Sequence, residues 1–455
     1  MRHAIVLAAG KGTRMKTELP KCAFPLLNKP MISYIVGALK KAEVEDIIAV
    51  VGHKKEILMD ILKDEVRYAI QETQLGTAHA CLMAEDLLKD EDGETIIVPG
   101  DMPLISKDMI EHALKRHSER KHDLTIVTTI LDNPFGYGRI VRGDNGDIEE
   151  IVEELDASVS QKEIKEVSTL VYVVNNKLLF ETLRKVKNNN AKKEYYITDI
   201  VKILKDEGYI VGTFTYKDSS IAIGVNDLYN LSIAEAKLRL EINKVHMLNG
   251  VTMINPETIT IGEDVIIEDN VCIHPNTYVT GKSVIKKGAI LGPNTEIYNS
   301  YIGENVWCRH SLVYNSSVAE NTTVGPFAHL RDGASIGPNN RIGNFVEVKK
   351  SSTKDNVKAS HLAYIGDTTC GANVNFGCGS ITVNYDGVNK HQTEIGNDVF
   401  IGCNVNMIAP IKIEDNSFIA AGSTLNQNVP EGSLAIARAK QINKEDYAKK
   451  LPKKK

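Results

Sequence analysis

No apolar run in the 455-residue chain is long enough to span a bilayer, which argues against membrane insertion as a helix. Met1 leads straight into a strand-like segment, so no signal peptide is expected. The seven cysteines are odd in number and scattered, with no C-x-x-C pair and no zinc-ligand spacing. That excludes a disulfide framework and predicts reduced thiols in the cytoplasm. Neither sign of charge dominates. A net charge of -5 gives no global reason to expect nucleic acid as a partner. The basic tail "YAKKLPKKK" is read as a solvated, frayed end. Aromatic residues are few, 6% with a single Trp.

Up to about Gly224 the sequence alternates strands with helices. "HAIVLAA", "DIIAVV", "TIIVPGD" and "LTIVTTIL" are short β-rich runs, and patterns such as "MISYIVGALKKAE" between them are helical. This predicts an α/β domain over 1–226, Rossmann-like, with a mostly parallel sheet covered on both faces. Ligands in such folds sit at the carboxyl ends of strands, often on the loop after the first. "DLYNLSIAEAKLRLEINKVHML" reads as one amphipathic connector helix within 227–250. Asn226 or Asp227 can cap it, and Asn249-Gly250 can stop it.

Over 251–455 the period changes. Val318, Val324, Leu330, Ile336, Ile342 and Val348 recur every sixth position, and so do Ile395, Ile401, Met407, Ile413, Ile419 and Leu425. An apolar residue at every sixth place, often followed by Gly, is the hexapeptide signature of a parallel β-helix. Each such residue points inward, and stacked coils bury a continuous column. The pattern accounts for the many Asn, Gly and Asp, which suit tight corners. Between Thr382 and Ile395 the stretch "VNYDGVNKHQTE" carries no hexad and predicts a loop thrown out from the coil.

"AIVLAAGKGTRMKTELPK", Ala4 to Lys21, runs from a strand into a glycine-rich loop. It is not a Walker A loop, since no G-K-[ST] closes it, and Met15 stands where a dinucleotide fold has its third glycine. Glycines alone would suit any tight strand-to-helix turn. The loop also carries Lys11, Arg14 and Lys21. Backbone N–H groups with fixed cations suit a polyphosphate, where charge develops on transferred and leaving oxygens.

"LAAGKGTRM…LPK" resembles the signature of sugar-1-phosphate nucleotidyltransferases, and "QLGTAHA", "GDMPL", "GYGRI", "IVEE", "EYYITD" and "GVND" match in order. With the hexapeptide half, the resemblance covers nearly the whole chain. It is to the bacterial family of bifunctional N-acetylglucosamine-1-phosphate uridyltransferases and glucosamine-1-phosphate acetyltransferases. The resemblance implies attack of N-acetylglucosamine 1-phosphate on the α-phosphate of UTP with release of pyrophosphate, mostly by positioning and charge neutralisation. It implies that Leu7, Ala8, Ala9 and Gly10 contact the uridine, that Arg14 and Lys21 face the phosphates, and that Gln71, Gly76 and Thr77 hold the base. Asp101 and Asn226 would hold Mg²⁺, a hard cation that takes oxygen ligands. Gly138, Glu153, Ser168, Tyr196 and Thr198 would line the sugar pocket.

In the solenoid, the resemblance implies acetyl transfer from acetyl-CoA to glucosamine 1-phosphate. His361 is the candidate general base, because an amine attacking a thioester must lose a proton and a neutral imidazole works near neutrality. Arg331, Lys349 and Lys390 would bind the sugar phosphate, and Tyr364, Asn375 and Tyr385 would shape its pocket. Asn384 would orient or polarise the reacting centre. Cys378, Cys403, Ala421 and Arg438 would border acetyl-CoA. Neither thiol has a partner base evident in the sequence, so no acetyl-cysteine step is invoked. β-Helices of this family are left-handed and form homotrimers, an exception to the right-handed crossover rule. The product would supply peptidoglycan and lipopolysaccharide-type envelope synthesis.

The chain departs from the family pattern at several points. "STL", Ser168 to Leu170, replaces the usual Asn-Thr-Gly and bears on sugar preference, since Leu removes the room a glycine leaves. "VPGD" replaces a more usual aromatic before Gly-Asp, and Leu228 stands where a basic residue is common. Cys378 replaces a usual Ala, and Cys403 a usual Ser with its hydroxyl donor. A single-activity nucleotidyltransferase with a structural or regulatory β-helix is the alternative, and a catalytically dead binding protein is a third. His361 with the "NYDGVNK" loop favours two activities, because a scaffold needs neither.

Overall fold

The computed structural model describes residues 1–452, in two compact units, 1–238 and 239 onward. In the first unit the apolar runs form a nine-stranded sheet. Its strands are β1 (Arg2–Ala8), β2 (Asp46–Val51), β3 (Arg67–Ile70), β4 (Glu94–Pro99), β5 (Leu124–Ile130), β6 (Arg139–Arg142), β7 (Ile148–Val152), β8 (Glu166–Asn175) and β9 (Val211–Thr215). The main path runs β9-β5-β8-β4-β1-β2-β3, and β6 and β7 form a hairpin hung on β8. β1 is parallel to both β2 and β4, whereas β8 is antiparallel to both β4 and β5. Successive residues of β1 point to opposite faces. Ala4, Val6 and Ala8 therefore enter one core and Ile5 the other, each packed under helices such as Met31–Lys41 on one side and Asn176–Leu183 on the other.

The helix Leu228–Leu248 spans the division between the units. Asp227 caps it, its Oδ1 accepting the Asn230 N–H at 2.8 Å, and Gly250 at φ +91° follows its end. In the first unit Leu231 and Ala234 pack with Met15, Met31 and Val225. In the second, buried Asn243 donates to the carbonyls of Pro256 and Ile259, both at 2.8 Å.

The second unit is a left-handed parallel β-helix, built of short parallel strands stacked in ladders of 19 and nine. All twelve residues of the two six-residue series named above lie in its continuous aliphatic core and are 5% exposed or less. Stacked corners repeat at 16 to 18 residues, as in the Asn305–Asn321, Asn356–Asn373 and Asn276–Asn294 contacts. Asparagines recur there in the left-handed region, among them Asn305, Asn321, Asn356 and Asn373, and bond side chain to side chain up the stack. Asparagine tolerates positive φ better than other non-glycine residues, which is why so many occur in this half. From Asn373 to Asp398 the spacing is 25, because the segment between strands Ile381–Val383 and Thr393–Ile395 leaves the coil.

Candidate functional site

Two groups of functional side chains emerge, one in each unit. In the first, β1 ends at Ala8 and the chain turns through Gly12 at φ +61°. A Cβ on Gly12 would lie 2.8 Å from Lys21 Cβ, so only glycine lets the loop close over Lys21. Lys21 Nζ bonds Asp101 Oδ2 and donates to Asn226 Oδ1 at 2.9 Å, and Arg14 Nη2 donates to the same Asn226 oxygen at 2.9 Å. Backbone bonds fix this junction: Gly100 N–H to Leu7 O at 2.9 Å, and Val225 N–H to Asp101 O at 2.9 Å.

A cleft of about 260 Å³ opens beside it, bringing together Leu7, Ala8, Ala9, Gly10, Lys21, Gln71, Gly76, Thr77 and Asp101. Buried Gln71 donates to Gly76 O at 3.2 Å and bonds His79 Nδ1 at 2.9 Å. Thr77 Oγ1 accepts the Ile197 N–H at 2.9 Å, and Ala78 N–H donates to Tyr195 O at 2.9 Å. The segments "QLGTAHA" and "EYYITD", far apart in sequence, are thus joined at the cleft.

Glu153 and Tyr196 line a separate cleft of about 310 Å³ together with Asp156 and Asp199. Burial raises the Glu153 carboxyl above its ordinary value; the Thr198 hydroxyl, donating to it at 3.2 Å, and Lys192 oppose that rise, while Asp199 and Asp156 add to it. Burial, with Asp156 and Glu150 nearby, pushes Asp199 up to about 6. Tyr196 is pushed to about 12 by burial and the same acidic surroundings. Gly138 backs onto Glu153 and accepts the Ser168 N–H at 2.9 Å. Ser168 itself is buried, its Oγ against Tyr172 OH at 3.3 Å, so its side chain belongs to the core rather than to either cleft. A bulge follows Ser168, and Leu170 is left at φ +57° with its side chain on the wall of the first cleft.

Asp101 and Asn226 supply two hard oxygen donors converging on one cation, here the Lys21 ammonium. No group of three or more His, Cys, Asp or Glu that could hold a metal occurs among the described residues. Such a set fits Mg²⁺, which is commonly held by one or two protein oxygens and completed by substrate phosphates and water.

In the β-helix, Asn344 and His361 are paired in adjacent coils. His361 Nδ1 lies 2.7 Å from Asn344 Oδ1. An amide oxygen only accepts, so Nδ1 carries the proton and Nε2 is left to take another. Lys349, 7% exposed, donates to Asp367 Oδ2 at 3.2 Å. Asn384, also buried, donates to the same oxygen at 2.5 Å and to Tyr364 OH at 3.4 Å. A Cβ on Gly366 would fall 2.5 Å from Tyr364 OH and 2.7 Å from Asn384 Nδ2, so this packing requires glycine. Burial would raise the Asp367 carboxyl, but the hydrogen bonds from Asn384 and Lys349 and the charges of Lys349 and Lys350 outweigh it and hold it low. The contact between the Lys349 and Lys390 amines moves them in opposite directions, Lys349 up, assisted by Asp367, and Lys390 down.

Arg331 is aimed by Glu347, which accepts from Nε at 2.8 Å, and by Asp332, which accepts from Nη1 at 2.6 Å. The extruded loop is organised by Asp386. Its Oδ1 accepts the N–H groups of Val388 and Asn389, at 2.8 and 2.6 Å, and its Oδ2 meets His391 Nε2 at 2.7 Å. Tyr385 and Lys390 pair across this loop. Asn375 lies beside Lys358 in the adjacent coil, Cys378, Cys403 and Ala421 are exposed at neighbouring corners, and Arg438 Cδ lies near the Cβ position of Gly422.

Asp367 is the polar centre that sequence reasoning missed. It occupies a corner at φ +49°, so in the sequence it looks like one more turn residue. Asp332, at φ +55°, escaped notice for the same reason, whereas Glu347 lies within a strand and Asp386 in the extruded loop, where nothing local marks them as partners of Arg331 and His391.

Comparison with known proteins agrees on both halves. The model of the nucleotidyl transferase family matches residues 3–230, and that of the bacterial transferase hexapeptide repeat matches 315–350 and 392–427. A protein of Acholeplasma laidlawii described as "Bifunctional protein GlmU" is 60% identical over 99% of this chain and 97% of its own length. Proteins of the same description from Geobacillus sp. (strain WCH70) and Clostridium acetobutylicum are 47% and 45% identical, over 99% and 98% of this chain and 98% of each of theirs.

Proposed function

The chain belongs to the family of bifunctional GlmU proteins, and from that premise we propose how its two sites divide the synthesis of UDP-N-acetylglucosamine. It is a bifunctional transferase, with a uridyltransferase and an acetyltransferase activity. The observation that carries the assignment of two sites is the presence, in one chain, of the Lys21–Asp101–Asn226 junction and the His361–Asn344 pair. A purely scaffolding β-helix would need neither His361 nor the Asp367 cluster.

In the uridyltransferase site, Lys21 and Arg14 offset the charge of the UTP phosphates. An oxygen of N-acetylglucosamine 1-phosphate attacks the α-phosphorus, and the bond to pyrophosphate breaks. Leu7 to Gly10, with Gln71, Gly76 and Thr77, hold the uridine, and Glu153, Tyr196 and Thr198 hold the sugar with Gly138 behind them. Ser168 acts by fixing the strand at Gly138. Asp101 and Asn226 would hold Mg²⁺, which when bound supplies charge neutralisation on the phosphate oxygens.

In the acetyltransferase site, Arg331, Lys349 and Lys390 bind the phosphate of glucosamine 1-phosphate, and Tyr364, Asn375 and Tyr385 shape the sugar pocket. The amine attacks the thioester carbon of acetyl-CoA, the C–S bond breaks, and His361 Nε2 takes the amine proton while Asn384 orients the reacting centre. Cys378, Cys403, Ala421 and Arg438 border the coenzyme. A homotrimer through the β-helix belongs to this reading. It is supported by Phe327, Phe345 and Leu362, exposed by 56–57%, which crowd one corner of the coil with the two Phe rings stacked at 5.4 Å. Such an apolar ladder gains from being covered. No helix among the described residues is long and apolar enough to cross a membrane. We place the enzyme in the cytoplasm, with its UTP and acetyl-CoA.

The test is pyrophosphate release from UTP and Mg²⁺ with either N-acetylglucosamine 1-phosphate or glucose 1-phosphate. Strong preference for the N-acetyl sugar is expected. Equal or greater turnover of glucose 1-phosphate would rename the first activity.

A further inference from the structure

The two exposed cysteines sit at equivalent corners of successive coils. Asn375 pairs with Phe400 and Phe376 with Ile401 in parallel register, which carries Cys378 alongside Cys403. Hydrogen bonds cross between the coils on both sides of this position, Gly377 N–H to Ile401 O at 2.8 Å and Asn404 N–H to Cys378 O at 2.8 Å. A Cβ on Gly377 would lie 2.5 Å from Cys403 N, so the backbones are in contact here. Lys358 pairs with Asn375 and Ala359 with Phe376, so His361 occupies the same column one coil before Cys378. Phe400 pairs with Phe418, and Ala421 follows Cys403 in the column.

Neighbouring coils stack at about 4.8 Å. That falls inside the range of about 4.4–6.8 Å between Cα atoms that a disulfide spans. The remaining cysteines offer no such chemistry. Cys22, Cys81, Cys308 and Cys370 are buried and Cys272 is half-buried. Burial pushes the thiols of Cys22, Cys308 and Cys370 to about 12.

We propose that Cys378 and Cys403 form a thiol–disulfide exchange site that reversibly shuts acetyl transfer, with a low-molecular-weight disulfide as oxidant. The effect on acetyl transfer rests on the acetyltransferase reading above; the dithiol itself rests on the register alone. The Cys378 thiolate, its proton taken by His361 or water, attacks one sulfur of R–S–S–R. The S–S bond breaks, R–S⁻ leaves and is protonated, and a mixed disulfide remains. Cys403 then attacks Cys378 Sγ, releasing the second R–SH. In sum two thiols lose two protons and two electrons, and one small disulfide becomes two thiols. Both the mixed disulfide and the closed pair stand next to His361, where the thioester would be presented. An exposed disulfide of this kind is readily reduced again.

The test uses the full-length protein treated with oxidised glutathione, then peptide mass mapping, with CoA release and pyrophosphate release measured separately. A Cys378–Cys403 cross-linked peptide is expected, with CoA release down at least tenfold and restored by dithiothreitol, and pyrophosphate release unchanged. In Cys403→Ser the mixed disulfide should persist on Cys378. In the Cys378→Ala/Cys403→Ala double variant neither a cross-link nor a mixed disulfide should form at this column, and the ratio of oxidised to reduced acetyl activity should stay near one, whatever the basal rate. Absence of the cross-link, or a cross-link with undiminished CoA release, overturns the proposal. If the reduced protein releases no CoA, the acetyltransferase reading fails instead, and the mapping still decides whether the dithiol forms.

Discussion

Replacing Leu170 by glycine removes two things at once, a side chain on the wall of the nucleotide cleft and a backbone held at φ +57°. The left-handed conformation costs a non-glycine residue about 1–2 kcal/mol, which the substitution relieves. Glycine returns about 0.5–1 kcal/mol of that through the entropy of the unfolded chain. Leu170 is only half-buried, so losing its packing costs about 1 kcal/mol, roughly half the value for full burial. These contributions nearly cancel, and the melting temperature of the first unit should move by less than about 4 °C. Leu170→Ala keeps the strain but loses most of the packing, so it should melt below the glycine variant. The cleft, about 260 Å³ in the parent, widens in both. Leu170 walls the cleft assigned to the uridine, so kcat/KM for UTP should fall by up to about tenfold in both variants, the scale of one pocket contact, and mainly through a higher KM. The assay is steady-state pyrophosphate release at varied UTP, beside thermal melts. A glycine variant that melts below the alanine variant, or an unmoved KM for UTP, would refute the reasoning.

Asp101→Ala should abolish Mg²⁺-dependent pyrophosphate release while CoA release continues; undiminished pyrophosphate release would remove Asp101 from the metal site. Asp367→Ala leaves the buried Lys349 and Asn384 donors without their shared acceptor. Losing one charge-assisted bond of about 1.5–3 kcal/mol should cost about tenfold or more in kcat/KM of acetyl transfer, with pyrophosphate release untouched. Asp199 tests pH. Its carboxyl stands at about 6 in the fold against an ordinary value of 3.8. The folded state therefore holds the proton longer, and the stability this gives is full below about pH 4 and lost as pH rises through about 6. Asp199→Asn should raise the melting temperature more at pH 8 than at pH 5, and equal gains at both would contradict the raised value.

The β-helix was the most legible part of the sequence, because one rule, an inward aliphatic residue every sixth position, repeats until chance is excluded. The runs at β1, β2, β4 and β5 were legible because buried parallel strands are nearly continuous in apolar residues. The antiparallel β8 in the middle of that sheet was not, since a run such as "VYVV" reads alike in either direction. The loop residues Lys21 and Arg14 announced phosphate chemistry through charge beside glycine. Their convergence with Asp101 and Asn226 could not be read locally, because the partners lie 80 to 212 residues apart. Leu170 looked like a loss of room, and only the backbone reveals the positive φ that explains why glycine suits the position. Asp367 was hidden among the many Asn and few Asp residues that turn the corners. The stacking of Cys378 on Cys403 was hidden by the inserted loop, which breaks the regular spacing between them.

Two separable activities in one chain require that each site can be lost without the other. His361→Ala, assayed for CoA release with acetyl-CoA and glucosamine 1-phosphate and for pyrophosphate release with UTP and N-acetylglucosamine 1-phosphate, tests it in one preparation. Loss of a general base should lower CoA release about 10²-fold or more and leave pyrophosphate release at the parent rate. Retained CoA release, or the loss of both activities together, would contradict it.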